Sequence, residues 1–179
     1  MVESNKPVVL ITGVSGYVGS QVCNYFLKDG GFTVRGTVRD KDNKDKIAPL
    51  EAAFGDDFKN LELRNADLLD AESLDKAIEG ATYVIHTASP FHFKTEVLEE
   101  LIAPAVDGTL NALKAAAKHK CKRVVVTSSR AAISFGRDPV PIWNDTHWSD
   151  IENLTEAGLS VGGGYMLSKT LAEKAAWDY

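Results

Sequence analysis

The sequence predicts an α/β fold, a doubly wound parallel sheet with helices on both faces in three layers, and three observations carry that expectation. Short β-rich runs at residues 8–12, 32–38, 61–65, 82–88 and 123–128 alternate with helical stretches, the order that gives parallel strands joined by crossover helices. The first run, Val8-Val9-Leu10-Ile11, breaks at once into Thr12-Gly13-Val14-Ser15-Gly16-Tyr17-Val18-Gly19. A strand that ends in Gly-x-x-Gly-x-x-Gly before a helix sets backbone N–H groups and a positive helix end against a diphosphate, with no Cβ in the way. Near the other end, Tyr165 and Lys169 are four residues apart, a spacing that puts both side chains on one helix face.

The elements follow in chain order. After the glycine loop, Val18, Val22, Tyr25 and Phe26 fall at i, i+4, i+7 and i+8, which predicts a helix packed on the sheet by that face and stopped by Gly30-Gly31. Leu74 and Ile78 mark the helix after the third strand. The longest helix is expected to begin at Pro104, where a missing N–H costs nothing, and to show Val106, Leu110, Leu113 and Ala117 on one side. From Arg130 to Gly164, Pro139, Pro141, two tryptophans and Gly162-Gly163-Gly164 predict a long ordered loop beside a strand end, a position that usually carries function. No repeat, low-complexity tract or linker interrupts the chain, so residues 1–179 are read as one domain.

Composition bounds the partners. The chain has 179 residues, is 44% hydrophobic and carries 25 acidic against 20 basic side chains, enough for one domain with a real core. A net charge of -5 argues against nucleic acid or an anionic membrane, since both select a basic face. Met1 to Pro7 is polar and the apolar run behind it is only strand-length, so neither signal peptide nor membrane span is expected. Cys23 and Cys121 are far apart, and His86, His92, His119 and His147 lack ligand spacing. A reducing, cytoplasmic setting without a metal is the expectation.

Further segments occur in a fixed order: Gly36-Thr37-Val38-Arg39-Asp40, Ala66-Asp67-Leu68, His86-Thr87-Ala88-Ser89-Pro90, Pro104-Ala105-Val106-Asp107-Gly108-Thr109, Val126-Thr127-Ser128-Ser129 and Tyr165-Met166-Leu167-Ser168-Lys169-Thr170-Leu171-Ala172-Glu173. With the Gly-x-x-Gly-x-x-Gly loop, they resemble the extended branch of the short-chain dehydrogenase/reductase superfamily. More narrowly, the chain is similar to the group of dihydroflavonol reductases, cinnamoyl-CoA reductases and yeast-type carbonyl reductases. The resemblance implies a Rossmann-type fold and the N-terminal portion of such an enzyme. It also implies that the C-terminal substrate portion is missing, because the chain stops at Tyr179 inside the Tyr165 helix.

For the cofactor, the resemblance puts Gly13, Ser15, Gly16, Tyr17, Val18 and Gly19 at the diphosphate. At the end of the second strand Val38 takes the position of an NAD-selecting acid and Arg39 follows it. A guanidinium there suits a 2'-phosphate, which points to NADP (NADPH). Lys46 matches a second phosphate contact, with a solvated charged loop as its other reading, and Asp40 is the rival that would favour NAD. Asp67 and Leu68 are implied at the adenine, although Asp67 also suits a turn cap. Thr87, Ala88 and Ser89 end the fourth strand and Thr127 the fifth, where ligands of open parallel sheets sit.

For the chemistry, Ser129, Tyr165 and Lys169 are the expected catalytic residues. Ser129 is chosen over Ser128, which is assigned to hydrogen bonding within the fold. A free phenol has a pKa of about 10, so Tyr165 needs the positive charge of Lys169 to serve as proton donor. In the family Lys169 also meets the nicotinamide ribose. Ser134 stands where flavonoid reductases place a substrate-holding asparagine, and Ala105 where classical members place a proton-relay asparagine. A flavonoid substrate is therefore not expected. The favoured function is NADPH-dependent reduction of an aldehyde or ketone to an alcohol by a monomer or homodimer. A sugar-nucleotide epimerase, dehydratase or hydroxysteroid dehydrogenase is one alternative, and an inactive cofactor-binding fragment is the other.

Overall fold

The computed structural model describes residues 6–89, 97–157 and 162–179. The chain divides into two compact units, Met1–Ala88 with Asn111–Thr127, and Ser89–Leu110 with Ser128–Tyr179.

The first unit holds the sheet. Strands β1 (Val8–Thr12), β2 (Thr33–Val38), β3 (Leu61–Asn65), β4 (Tyr83–His86) and β5 (Arg123–Val126) are all parallel, in the order β3-β2-β1-β4-β5. All five expected strands are present, β2, β4 and β5 a little shorter than their apolar runs. Alternation along β1 builds the layers. Val9 and Ile11 pack with Cys23 and Leu27 of α1 (Tyr17–Asp29) and with Ile47 and Leu50 of α2 (Lys44–Phe54). Leu10 points the other way, to Leu74 and Ile78 of α3 (Ala71–Ile78) and to Ala112 and Ala116 of α4 (Glu99–Lys118). Each large side chain buried this way contributes about 1.5–3 kcal/mol. This is the doubly wound, Rossmann-type arrangement.

Two helix faces differ from expectation. In α1 the buried stripe is Gly19, Cys23 and Leu27, while Val18 and Tyr25 are exposed; the helix is rotated so that its glycine meets the sheet. In α4 the buried positions are Leu101, Ala105, Gly108, Thr109, Ala112, Ala115 and Ala116, and the larger Val106, Leu110 and Leu113 are only half-buried. Small residues let a helix approach closely, so the smallest side chains take the innermost face. The helix also starts at Glu99, not Pro104. Its first turn is closed before the proline by Glu100 N–H to Val97 O (3.2 Å) and Ile102 N–H to Leu98 O (3.1 Å).

The second unit contains the first half of α4, a 3-10 turn at Arg130–Ala132, α5 (Ile151–Ala157) and α6 (Gly163–Asp178). The stretch read as a long loop thus contains a short helix, which its mixed composition did not announce. The loop itself is ordered by Ser149, whose buried Oγ donates to Ala131 O and accepts from Phe135 N–H, both at 2.8 Å. Arg130 stacks on Phe135 and Lys174 on Trp148. No helix among the described residues is long and apolar enough to cross a membrane.

Candidate active site

The glycine loop lies in the first unit, and its three glycines have different physical reasons. Gly13 has φ +69°, and a Cβ there would lie 3.0 Å from the Ala88 side chain. At Gly19 a Cβ would fall 2.3 Å from Gly13 O and 2.8 Å from Thr87 Oγ1, so this glycine lets α1 touch the sheet. Gly16 has ordinary extended backbone (φ -85°) as the N-cap of α1, and a Cβ would meet nothing closer than Gly13 O at 3.3 Å. Packing and backbone conformation thus demand glycine most strongly at Gly13 and Gly19, and less strongly at Gly16, where a Cβ would crowd Gly13 O by a few tenths of an ångström. The first-turn amides of Tyr17, Val18 and Gly19 have no carbonyl within their own helix, and α1 has neither a side-chain cap nor an acid in its first turn. Such an end accepts an anion. The amides of Gly13, Val14 and Gly16 are instead used inside the loop, on Thr37 Oγ1, Thr37 O and Gly13 O.

Thr12 holds this loop against the end of β4. Its Oγ1 accepts from Thr87 N–H (3.0 Å) and Ala88 N–H (3.1 Å) and lies 3.0 Å from His86 Nδ1. With both lone pairs occupied, the hydroxyl proton goes to Nδ1, so buried His86 carries its own proton on Nε2. Thr87 Oγ1 in turn donates to Thr12 O. Thr87 and Ala88 are thereby fixed beside the glycines, and Thr127 N–H adds a bond to His86 O at 2.9 Å.

At the end of β2, Arg39 and Lys46 are exposed, and neither side chain has a hydrogen-bonding or ionic partner among the described residues. Lys46 stands in the first turn of α2, capped by Asn43. Asp40 is committed elsewhere: its Oδ1 accepts from Asp42 N–H at 2.9 Å. Asp67 likewise closes a turn, accepting from Leu69 N–H at 2.9 Å, whereas Asp70 caps α3. Leu68 O accepts from Asn111 Nδ2 at 2.9 Å.

In the second unit, Ser128 donates to Glu173 Oε2 and Ser129 Oγ accepts from Ala131 N–H at 3.1 Å. A serine engaged as acceptor keeps its own proton to donate. Tyr165 and Lys169 stand half-buried one turn apart on α6. Burial pushes the Lys169 ammonium below its ordinary 10.5, and the Glu173 carboxylate acts against that shift. Thr170 Oγ1 donates to Met166 O at 2.8 Å, with Ala131 O a more distant 3.4 Å away. Burial pushes the Cys23 thiol up to about 12, so it is no nucleophile near neutrality. Among the described residues no group of three or more His, Cys, Asp and Glu could hold a metal.

Residues 9–179 match the model of the NAD dependent epimerase/dehydratase family. The chain belongs to that family. Within it, the chain is 39% identical over 172 residues to a dihydroflavonol 4-reductase of Dianthus caryophyllus, covering 96% of this chain and 47% of that protein. It is 38% identical over 173 residues to an anthocyanidin reductase of Arabidopsis thaliana, covering 94% and 50%. Among solved structures, Gre2 of Candida albicans in complex with NADPH aligns with a TM-score of 0.81 at 34% identity, over 96% of this chain and 52% of that one. The chain spans about half the length of the curated relatives it matches. Thr12, Thr37 and Glu173, which had no role assigned from the sequence, hold the glycine loop and tie α6 to Ser128. Glu173 had a signal: it follows Lys169 at the spacing that links Lys169 to Tyr165.

Proposed function

We propose that this chain is the nucleotide-binding and catalytic portion of an NADPH-dependent reductase that converts an aldehyde or ketone to an alcohol. Residues 1–179 are then the NAD(P)-binding Rossmann domain of an extended short-chain dehydrogenase/reductase. The observation that carries the reading is the N-terminus of α1, which has no side-chain cap and no acid in its first turn and is preceded by Gly16, whose missing Cβ leaves room for a diphosphate. Gly13, Ser15, Gly16, Tyr17, Val18 and Gly19 hold the diphosphate, Asp67 and Leu68 the adenine, and Thr87, Ala88, Ser89 and Thr127 the remainder. Preference for the 2'-phosphate is supported by Arg39 and Lys46, cations without a partner among the described residues, and by Asp40, which is engaged in its own turn. The NADPH complex of the similar Gre2 supports the same choice.

When bound, NADPH supplies the hydride. Ser129 donates a hydrogen bond to the carbonyl oxygen, Tyr165 gives its phenolic proton to that oxygen as it becomes an alkoxide, and Lys169 stabilises the phenolate left behind. Lys169 is also assigned to the nicotinamide ribose. A carbonyl compound other than a flavonoid is favoured because Ser134, at the family's asparagine position, is engaged on both sides by Arg130: its Oγ accepts from Nη1 and donates to the carbonyl, each at 3.2 Å. Mixing the protein with NADPH and a panel of aldehydes and ketones, and following NADPH consumption, tests the reading. Tyr165→Phe is expected to lower turnover by about 10²–10⁴-fold while NADPH still binds. Turnover at the wild-type rate would assign the proton to another group, and bound NADPH without turnover on any carbonyl would favour a binding module.

A further inference from the structure

Glu173 is a half-buried carboxylate on α6 that the chemistry above does not use. Both of its oxygens are engaged: Oε2 accepts from Ser128 Oγ, and Oε1 lies 3.4 Å from Trp177 Nε1. Ser128 is the chain neighbour of Ser129, and Lys169 is one helical turn before Glu173, on the same face.

We propose that Glu173 is a positioning residue: its carboxylate fastens the Ser128-Ser129 segment to α6 and sets a negative charge one turn from the Lys169 ammonium. One side chain then serves two partners of Tyr165. It holds the serine's backbone against the tyrosine's helix, and it keeps the lysine cationic against the cost of burial. Other charges lie nearby: on α4, Glu99 and Asp107 line a cleft with Lys174 and Asp178 of α6. On α6, Lys174 lies over the Trp148 ring at 4.6 Å and Asp178 is exposed. From the 3-10 turn, Arg130 sits over Phe135 at 4.8 Å. On α5, Glu152 and Glu156 are exposed. The remaining titratable neighbour along the helix is Tyr165, one turn before Lys169. The geometry stands without the reductase reading; only its catalytic consequence rests on that reading.

The test is a titration of Lys169 by carbon NMR of the 179-residue chain labelled at lysine Cε, without nucleotide or substrate, with the resonance assigned from Lys169→Arg. Glu173→Gln keeps the size and hydrogen-bonding capacity and removes the charge, so the Lys169 midpoint is expected to move to lower pH. Glu173→Asp retains the charge on a shorter arm and is expected to fall between Gln and wild type, which keeps the test available if Gln folds poorly. A midpoint unchanged in both variants would overturn the proposal. A 179-residue chain that binds no NADPH but shows the shift would count against the reductase reading alone.

Discussion

At Gly16 and Gly19 one residue type answers two demands, and substitution separates them. Gly19→Ala drives a methyl into Gly13 O and is expected to destabilise the fold by at least about 1–3 kcal/mol, the usual cost of overpacking. Gly16→Ala meets Gly13 O at 3.3 Å, a tight contact that needs a shift of a few tenths of an ångström, so it is expected to lose less stability than Gly19→Ala while nucleotide affinity falls. Chemical denaturation beside NADPH titration reads both, and equal stability losses would remove the distinction. Thr12→Val is expected to cost about 1–3 kcal/mol for each buried group it leaves unsatisfied among Thr87 N–H, Ala88 N–H and His86 Nδ1. The glycine spacing was readable because a loop motif is local. The Thr12–His86 pair was not, because its members are 74 residues apart and meet only when β1 and β4 align.

Elements carry their own checks. Asp75 of α3 accepts from Lys118 Nζ (2.7 Å), and its other oxygen lies 3.0 Å from His119 Nε2, which ties α3 to the C-terminal end of α4. Those partners, Lys118 foremost, hold the Asp75 carboxyl below its ordinary 3.8. A lowered carboxylate contributes stability that is present above its unfolded value and lost as pH falls through the folded one. Unfolding free energy measured on the acid side should thus fall less steeply in Asp75→Asn than in wild type; an unchanged acid limb would show that this carboxylate is not involved. The strands were readable element by element: β1 as a continuous apolar run, the mark of a parallel strand covered on both faces, and β3 from its alternating Leu61 and Leu63. The helix faces were not, because large apolar residues dominate a periodicity count while Gly19, Ala105 and Ala112 take the innermost positions for being small. Pro104 misled for a related reason. Proline suits a first turn, but the helix closes a turn ahead of it on Val97 and Leu98.

For the whole molecule, sheet order and family membership agree. The order β3-β2-β1-β4-β5 sets the glycine loop, the end of β2 and the end of β4 along one sheet edge, where nucleotides bind in open α/β sheets. Arg39 lies at that edge, exposed and without a partner among the described residues, and is the residue to which the proposed function gives the choice of cofactor. Calorimetric titration of wild type and Arg39→Ala with NADPH and with NADH tests this most directly. If Arg39 grips the 2'-phosphate, the variant should bind NADPH more weakly by about 1.5–3 kcal/mol, the range for hydrogen bonds to charged groups, while its affinity for NADH stays within error of wild type. Equal losses for both nucleotides, or none for either, would contradict the assignment.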